Sequence, residues 1–285
     1  MAAPLPEGAC DAHVHVFGPA TRYPYGADRT YTPPDATPAD LAALHRRLGI
    51  SRTVVVQASP YGTDNSRLLD ALHELGDSAR GVAVITPDAD PAYLDALHDA
   101  GTRGCRVNLN VQTATDIEAA RQQITETAQV IADRGWHLQL HAAHHVIAAL
   151  ADLLTRLPTA VVLDHFAGIK SAHGPTTAEA TAVTRRLLES GRVWVKLSAP
   201  YRAAATYADL DLVIDALAAA CADRLLWGSD WPHTGGTPHD RDPRRVQPYL
   251  EVDDAASLTA LTTRLGPKNT GRVLVENPAR LYDFG

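Results

Sequence analysis

Short apolar runs alternate along the whole chain with longer segments in which Ala and Leu recur at three- and four-residue spacing. The short runs, bounded by Gly, Pro and Asp, predict strands over 9–16, 52–57, 81–85, 104–109, 137–141, 160–165, 193–198 and 225–230. Several lack polar alternation, as strands covered on both faces do. The longer segments predict helices over 38–48, 65–75, 91–100, 116–134, 146–157, 179–190 and 207–221, with Gly49, Gly76, Gly101, Gly135 and Gly191 placed for left-handed helix ends. Repeated βα units of this kind belong to the α/β class with a parallel sheet. About eight of them predict a (β/α)8 TIM barrel, read as one domain over 1–285.

The predicted connections are uneven. Helix-to-strand links are short, whereas the strand-to-helix links 18–37, 167–178 and 231–246 are long. In a barrel these long links lie at the C-terminal face, where active sites are built. The chemistry-bearing residues of the chain gather at that face. His13 and His15 stand two apart in Cys10-Asp-Ala-His-Val-His-Val-Phe-Gly18, which turns both imidazoles to one side of a strand. His141 ends Trp136-His-Leu-Gln-Leu-His141, His165 ends Val161-Val-Leu-Asp-His165, and Asp230 ends Leu226-Trp-Gly-Ser-Asp230. Imidazoles converging on a carboxylate suit metal binding, proton transfer or carbonyl polarisation.

Plainer roles compete for some of these residues. Asp230 is also placed to cap a following helix or pair with an arginine, and His141, close to His144 and His145, also reads as a histidine-rich helix start. Alternation points Arg106 inward with Asn108, Arg103 being the alternative, and His233 belongs either to the pocket rim or to packing. His45, His73, His98, His173 and His239 fall on helices or loops away from strand ends and read as surface residues.

Composition narrows the function classes. The 285 residues are 45% hydrophobic and carry a net charge of −7, with no basic run to follow a phosphate backbone, so nucleic acid is not an expected partner. No apolar stretch reaches membrane-spanning length, and the start has neither a basic region nor an apolar core of a secretory signal; a soluble, cytoplasmic protein is expected. Cys10, Cys105 and Cys221 lie far apart without CxxC spacing, which argues against a disulfide framework or a structural zinc site.

His-x-His on the first strand, His on the fifth and sixth and Asp on the eighth resemble the amidohydrolase superfamily, whose members bind one or two divalent metals in the barrel mouth. The resemblance runs through to Glu276-Asn-Pro-Ala-Arg-Leu-Tyr282. Within that superfamily, His13-Val-His-Val-Phe-Gly-Pro19, Arg29-Thr-Tyr-Thr-Pro33, Gln57-Ala-Ser-Pro-Tyr-Gly-Thr-Asp-Asn65 and Lys196-Leu-Ser-Ala-Pro-Tyr-Arg202 are similar to the 2-pyrone-4,6-dicarboxylate lactonases. This implies hydrolysis of a small anionic lactone, with His13, His15, His165 and Asp230 as the catalytic core. It also implies that Tyr31, Ser59, Arg106 and Arg202 hold the substrate's carboxylates and ring, a task suited to guanidinium forks and hydroxyls.

Three positions depart from that pattern. Those lactonases carry an arginine after strand four where this chain has Gln112, and an asparagine beyond the strand-eight Asp where it has Gly235. A monocarboxylated or differently substituted lactone is therefore expected to be a better substrate than the dicarboxylate. They also end strand five in tyrosine and work without metal; His141 here completes a candidate ligand set of His13, His15, His141 and Asp230 for one divalent ion, zinc first. Strand four offers Arg106 and no Lys or Glu ligand, which leaves one metal or none rather than a bridged pair. The rival activity in the same superfamily is metal-dependent decarboxylation of a small aromatic or unsaturated acid.

Overall fold

The structure, a computed structural model, describes residues 4–110, 116–170, 175–235 and 242–285. Eight parallel strands form one sheet in chain order. They are β1 (Cys10–Val14), β2 (Arg52–Val56), β3 (Ala79–Ala83), β4 (Thr102–Asn108), β5 (His137–His141), β6 (Val161–Leu163), β7 (Val193–Ser198) and β8 (Leu225–Gly228). The ring closes where His15 N donates to Trp231 O at 2.8 Å and Asp230 N donates to His13 O at 2.9 Å. The expected (β/α)8 barrel is therefore the observed fold.

The helices between the strands are α1 (Pro38–Leu48), α2 (Ser66–Leu75), α3 (Pro91–Asp99), α4 (Ile117–Ile131), α5 (His144–Ala149), α6 (Ala151–Leu154), α7 (Pro175–Glu189), α8 (Pro200–Ala203) and α9 (Asp211–Cys221). After β8 come α10 (Asp254–Gly271) and α11 (Asn277–Tyr282). Local chemistry sets their limits. Thr37 and Asp40 form a reciprocal capping box that opens α1, and Gly49, at φ 76°, closes it in the left-handed region that side chains avoid. The other four glycines expected at helix ends also have positive φ. Among the described residues, no helix is long and apolar enough to cross a membrane.

Two apolar layers hold the barrel. Val55, Val107, Leu140, Leu163, Val195 and Trp227 face outward into a buried cluster with Leu41, Leu72, Ile124 and Leu217 of the helices. Cys10, Ala12, Val54, Val56, Val82, Val162 and Leu226 fill the interior, where Tyr282 and Phe284 join them from the C-terminal segment. The guanidinium groups of Arg52 and Arg80, from the starts of β2 and β3, cover Phe284 at 5.3 and 4.7 Å, which seats this plug at the N-terminal end of the barrel. Arg103 also points to that end, pairing with Asp283 at 3.4 Å, so Arg106 is the inward arginine of β4.

One irregularity places the first two histidines. The β1–β2 register slips between Asp11 and Val14, three residues on β1 spanning two on β2. With this bulge, Ala12 packs inside while His13 and His15 both face the mouth. Gly228 permits the close approach of β8, since a Cβ there would lie 2.5 Å from His13 Cβ and 2.8 Å from His13 N. Both atoms belong to a buried strand. Gly228→Ala is thus expected to destabilise the protein by about 1 to 3 kcal/mol and to displace His13, read as a lower Tm with a matching loss of activity.

Some predicted boundaries shift. β3 starts two residues before the expected 81, and the helix expected over 146–157 divides at Leu150. β6 ends at Leu163, because His165, Phe166 and Ala167 adopt φ of 49°, 55° and 55°. Ala199 after β7 and Asp230 after β8 are also left-handed. Such residues cost about 1 to 3 kcal/mol each and gather where surrounding structure enforces a working geometry.

Candidate active site

The ends of β1, β6 and β8 bring four of the expected residues together. Asp230 Oδ1 lies 3.5 Å from His15 Nε2, 3.6 Å from His13 Nε2 and 3.8 Å from His165 Nε2. All four side chains are buried. Asp230 Oδ2 is already engaged, accepting from Tyr201 Oη at 2.6 Å and Arg202 Nε at 2.8 Å, so the carboxylate keeps one oxygen for the mouth. That oxygen and His13 Nε2 are buried without a hydrogen-bond partner.

The ionisation states follow from burial and neighbours. Burial lowers the pKa of His13 to about 3 despite the attraction of Asp164, and holds His165 and His141 well below the usual imidazole value. Burial pushes Asp230 the other way, but Arg202 and then the facing histidines outweigh it and keep the carboxyl well below its usual range. At neutral pH the Asp230 carboxylate therefore faces neutral imidazoles at His13 and His165.

This donor set fits one divalent ion. His13, His15 and Asp230 offer ligand atoms within 4.8 Å of one another, and nitrogen with carboxylate oxygen suits zinc. His15 Nδ1 faces Val56 O at 2.8 Å, a backbone acceptor that leaves Nε2 bare. The unpartnered His13 Nε2 and Asp230 Oδ1 mark the same spot. His141 stands beside this group, edge-on to His165 with centroids 4.8 Å apart, but its Nδ1 meets Arg106 at 3.2 Å and its Nε2 meets Asn110 at 2.7 Å.

Below the centre lies a buried polar layer. Asp164 takes Arg106 Nε and Gln139 Nε2 on Oδ2, each at 3.2 Å, while Oδ1 lies 3.3 Å from His13 Nδ1 and 3.9 Å from Lys196 Nζ. His13, through its side-chain contact, and the Arg106 and Lys196 cations overcome burial and keep Asp164 ionised, its carboxyl well below the usual range. Burial lowers Lys196 to about 8, against the pull of Asp164. The sequence reading assigned Asp164, Gln139 and Lys196 no role. Their signal is a polar residue inside an otherwise apolar buried strand.

The expected substrate-binding residues are spread around the mouth. Arg202 Nη2 also donates to Thr234 O at 2.7 Å, and burial raises Tyr31 to about 12, Thr234, Arg106 and Arg202 being close enough to oppose the shift. Ser59, in a single 3-10 turn, accepts from Asn108 Nδ2 at 2.8 Å. Both arginines therefore already hold carboxylates of the protein. Tyr201, not singled out in the sequence, completes the grip on Asp230. Gly235 is exposed beside Leu250, while Gln112, His173 and His239 lie outside the described residues.

Other histidines resolve as structural. His233 bonds to Asp254 at 3.1 Å, a packing role. Contrary to the surface expectation, His45 is buried 3.4 Å from Asp11, and His98 accepts from Trp136 Nε1 at 3.0 Å with the rings stacked; among the described members of that group only His73 is exposed.

Comparison with known proteins agrees with this geometry. The amidohydrolase family profile matches residues 10–284. The chain is 38% identical to a 2-pyrone-4,6-dicarboxylate hydrolase of Comamonas testosteroni, over 98% of this chain and 91% of that protein. It is 34% identical to a 4-sulfomuconolactone hydrolase of Rhizobium radiobacter, over 98% and 91%. A Pseudomonas putida structure, solved as a candidate 2-pyrone-4,6-dicarboxylic acid hydrolase, superimposes with a TM-score of 0.80 at 31% identity, over 98% and 99% of the two chains. Barrel, strand-end histidines and aspartate, and near-full-length similarity lead to one assignment: the chain belongs to the amidohydrolase family.

Proposed function

We propose that this chain is a lactonase that opens a small anionic lactone, with Asp230 as general base. The observation that carries the reading is the division of labour on Asp230: Oδ2 is held by Tyr201 and Arg202, while Oδ1 is unpartnered and faces three histidines. In this reading Oδ1 removes a proton from water as its oxygen attacks the lactone carbonyl. N–H groups of His13 and His165 stabilise the oxyanion, since His15 turns a bare Nε2 to the mouth. As the ring C–O bond breaks, Asp230 returns the proton to the leaving oxygen, and the product is a hydroxy acid or its keto tautomer. A divalent ion held by His13, His15 and Asp230, next to His165, would supply Lewis-acid polarisation of the carbonyl.

The charge of the mouth selects the substrate. Lys196, Arg106 and Arg202 face the ionised Asp164 and Asp230, three cations against two carboxylates, with His13, His141 and His165 neutral. One positive charge is left for the ligand. This favours a lactone with a single negative arm and places the dicarboxylate second, in line with Gly235 and Gln112 standing where the dicarboxylate lactonases carry binding groups. The relatives named for dicarboxylate and sulfonated lactones support the anionic class.

The test is a panel of mono- and dianionic lactones followed by base uptake and ring absorbance. Base consumed with the fastest turnover on a monoanion is the expected result. Release of CO₂ without base uptake would overturn the lactonase reading in favour of decarboxylation, and 2-pyrone-4,6-dicarboxylate as the best substrate would overturn the charge argument alone.

Arg202 serves both ends of this scheme. Arg202→Met is expected to lower kcat/KM by about 10- to 150-fold, the cost of a charge-assisted hydrogen bond of about 1.5 to 3 kcal/mol. Removing the guanidinium also takes away the charge that most lowers the Asp230 pKa. The carboxyl then titrates higher, so the base form is lost sooner on acidification and the acidic limb of the kcat/KM profile moves to higher pH. A change in KM alone, with an unmoved limb, would assign Arg202 to substrate only.

A further inference from the structure

Asp11 carries a buried carboxyl group for which the scheme above has no use. It is fully excluded from solvent in β1, so each of its oxygens needs a partner inside the protein. Oδ1 accepts two backbone N–H groups, from His13 at 3.3 Å and from Ser229 at 2.9 Å. Oδ2 lies 3.4 Å from Nε2 of His45 on α1. The two amides stand on opposite sides of the seam that closes the ring, one belonging to His13 itself and the other to the residue before Asp230. Ser229 extends the brace, since its Oγ accepts from Trp231 N at 3.0 Å while Asp230 N donates to His13 O at 2.9 Å. Three consecutive amides, 229 to 231, are thereby fixed around the left-handed turn that Asp230 makes at φ 65°.

We infer that Asp11, braced by His45, is a positioning residue that sets the distance between His13 and Asp230. Regular strand pairing does not set it, because the β1–β2 register slips between Asp11 and Val14 and β8 ends at Gly228, two residues before Asp230. A bulged strand beside a strand end has slack. The N–H groups of His13 and Ser229 converge on one oxygen, so the two backbones move together. His13 Nε2 and Asp230 Oδ1 are then held 3.6 Å apart at the mouth. A working constellation tolerates displacements of about 0.5 Å, and a misplacement of about 1 Å can cost about 100-fold in rate. Loss of the shared acceptor therefore slows the reaction through geometry, although the far oxygen of Asp11 faces His45 and not the mouth.

Two readouts test this, and only the kinetic one rests on the lactonase reading above. Crystal structures of the wild type, Asp11→Ala and Asp11→Asn give the separation of His13 Nε2 and Asp230 Oδ1. It should stay near 3.6 Å in the wild type and in Asp11→Asn, whose amide oxygen can take both N–H groups, and change by about 0.5 Å or more in Asp11→Ala. On the lactone that the wild type opens fastest, at a temperature where circular dichroism shows each variant folded, Asp11→Ala should lower kcat about 10- to 100-fold with KM little changed. Asp11→Asn should restore most of that loss. A carboxyl group that only stabilised the fold would lower Tm and leave the separation and the kcat of folded enzyme unmoved, and that result overturns the inference. An Asn variant as slow as the Ala variant overturns it too. If Asp11→Ala fails to fold, His45→Leu decides, because it frees Oδ2 and should lower kcat in the same direction, whereas His45→Gln keeps a donor and should not. Unchanged separation and kcat in His45→Leu would then overturn the inference. A wild type that opens no lactone would sink the lactonase reading and leave the crystallographic readout to decide on Asp11.

Discussion

Asp230→Asn is expected to lose at least about a thousand-fold in kcat while keeping its fold, because an amide of the same shape cannot accept and return the proton. The backbone favours this substitution as a clean test. Asp230 sits at φ 65°, a conformation that Asn tolerates and most side chains do not. The amide oxygen can still accept from Tyr201 and Arg202 in place of Oδ2. Asp230→Ala would instead combine lost chemistry with backbone strain and two abandoned donors. Circular dichroism and a thermal scan check the fold, and pre-steady-state or endpoint assays on the best lactone check the rate. A variant within tenfold of wild-type kcat would remove Asp230 from the role of base, with or without metal.

The parts of this site legible in the sequence are those where strand periodicity and chain order suffice. His13 and His15 share a face because they are two apart, and His165 and Asp230 were placed by the ends of apolar runs before long loops. Even there the reason was incomplete, for the bulge between Asp11 and Val14 lets Ala12 and His13 both face the barrel axis. What the sequence did not disclose depends on closure of the barrel. Asp164 meets Arg106 across 58 positions, and Lys196 meets His13 across 183. No local pattern pairs them. Arg202 looked like a substrate ligand because a guanidinium near a pocket needs an anion, and its anion turned out to include Asp230 itself. His45 was misread for the same reason: the β1 carboxylate that buries it, Asp11, lies 34 positions away.

Arg106 gives the sharpest contrast between a binding residue and a residue of the scaffold. If it only held substrate, its removal would raise KM and leave stability alone. The geometry predicts a different balance. Arg106 is 4% exposed at its side chain and binds Asp164, itself at 0%, through Nε and Nη2 at 3.2 Å. Taking away one member of a buried pair leaves the other charge without water or partner, a loss of about 3 to 5 kcal/mol. Lys196 at 3.9 Å and Gln139 at 3.2 Å still attend the carboxylate, which puts Arg106→Met at the lower end, about 3 kcal/mol. Denaturation in urea should show the midpoint falling with an unchanged slope. Arg106 also donates to His141 Nδ1, so the variant frees His141 to rotate at the rim of the mouth, and a rise in KM should accompany the lost stability. The double variant Arg106→Met with Asp164→Asn separates the two effects. Removing the buried charge along with its partner should recover part of the stability, the buried Lys196 ammonium being left with Gln139, while KM stays high if Arg106 also meets the substrate's anionic arm. Full stability in the single variant would show that Asp164 does not depend on Arg106, and the polar layer beneath the site would then rest on Lys196.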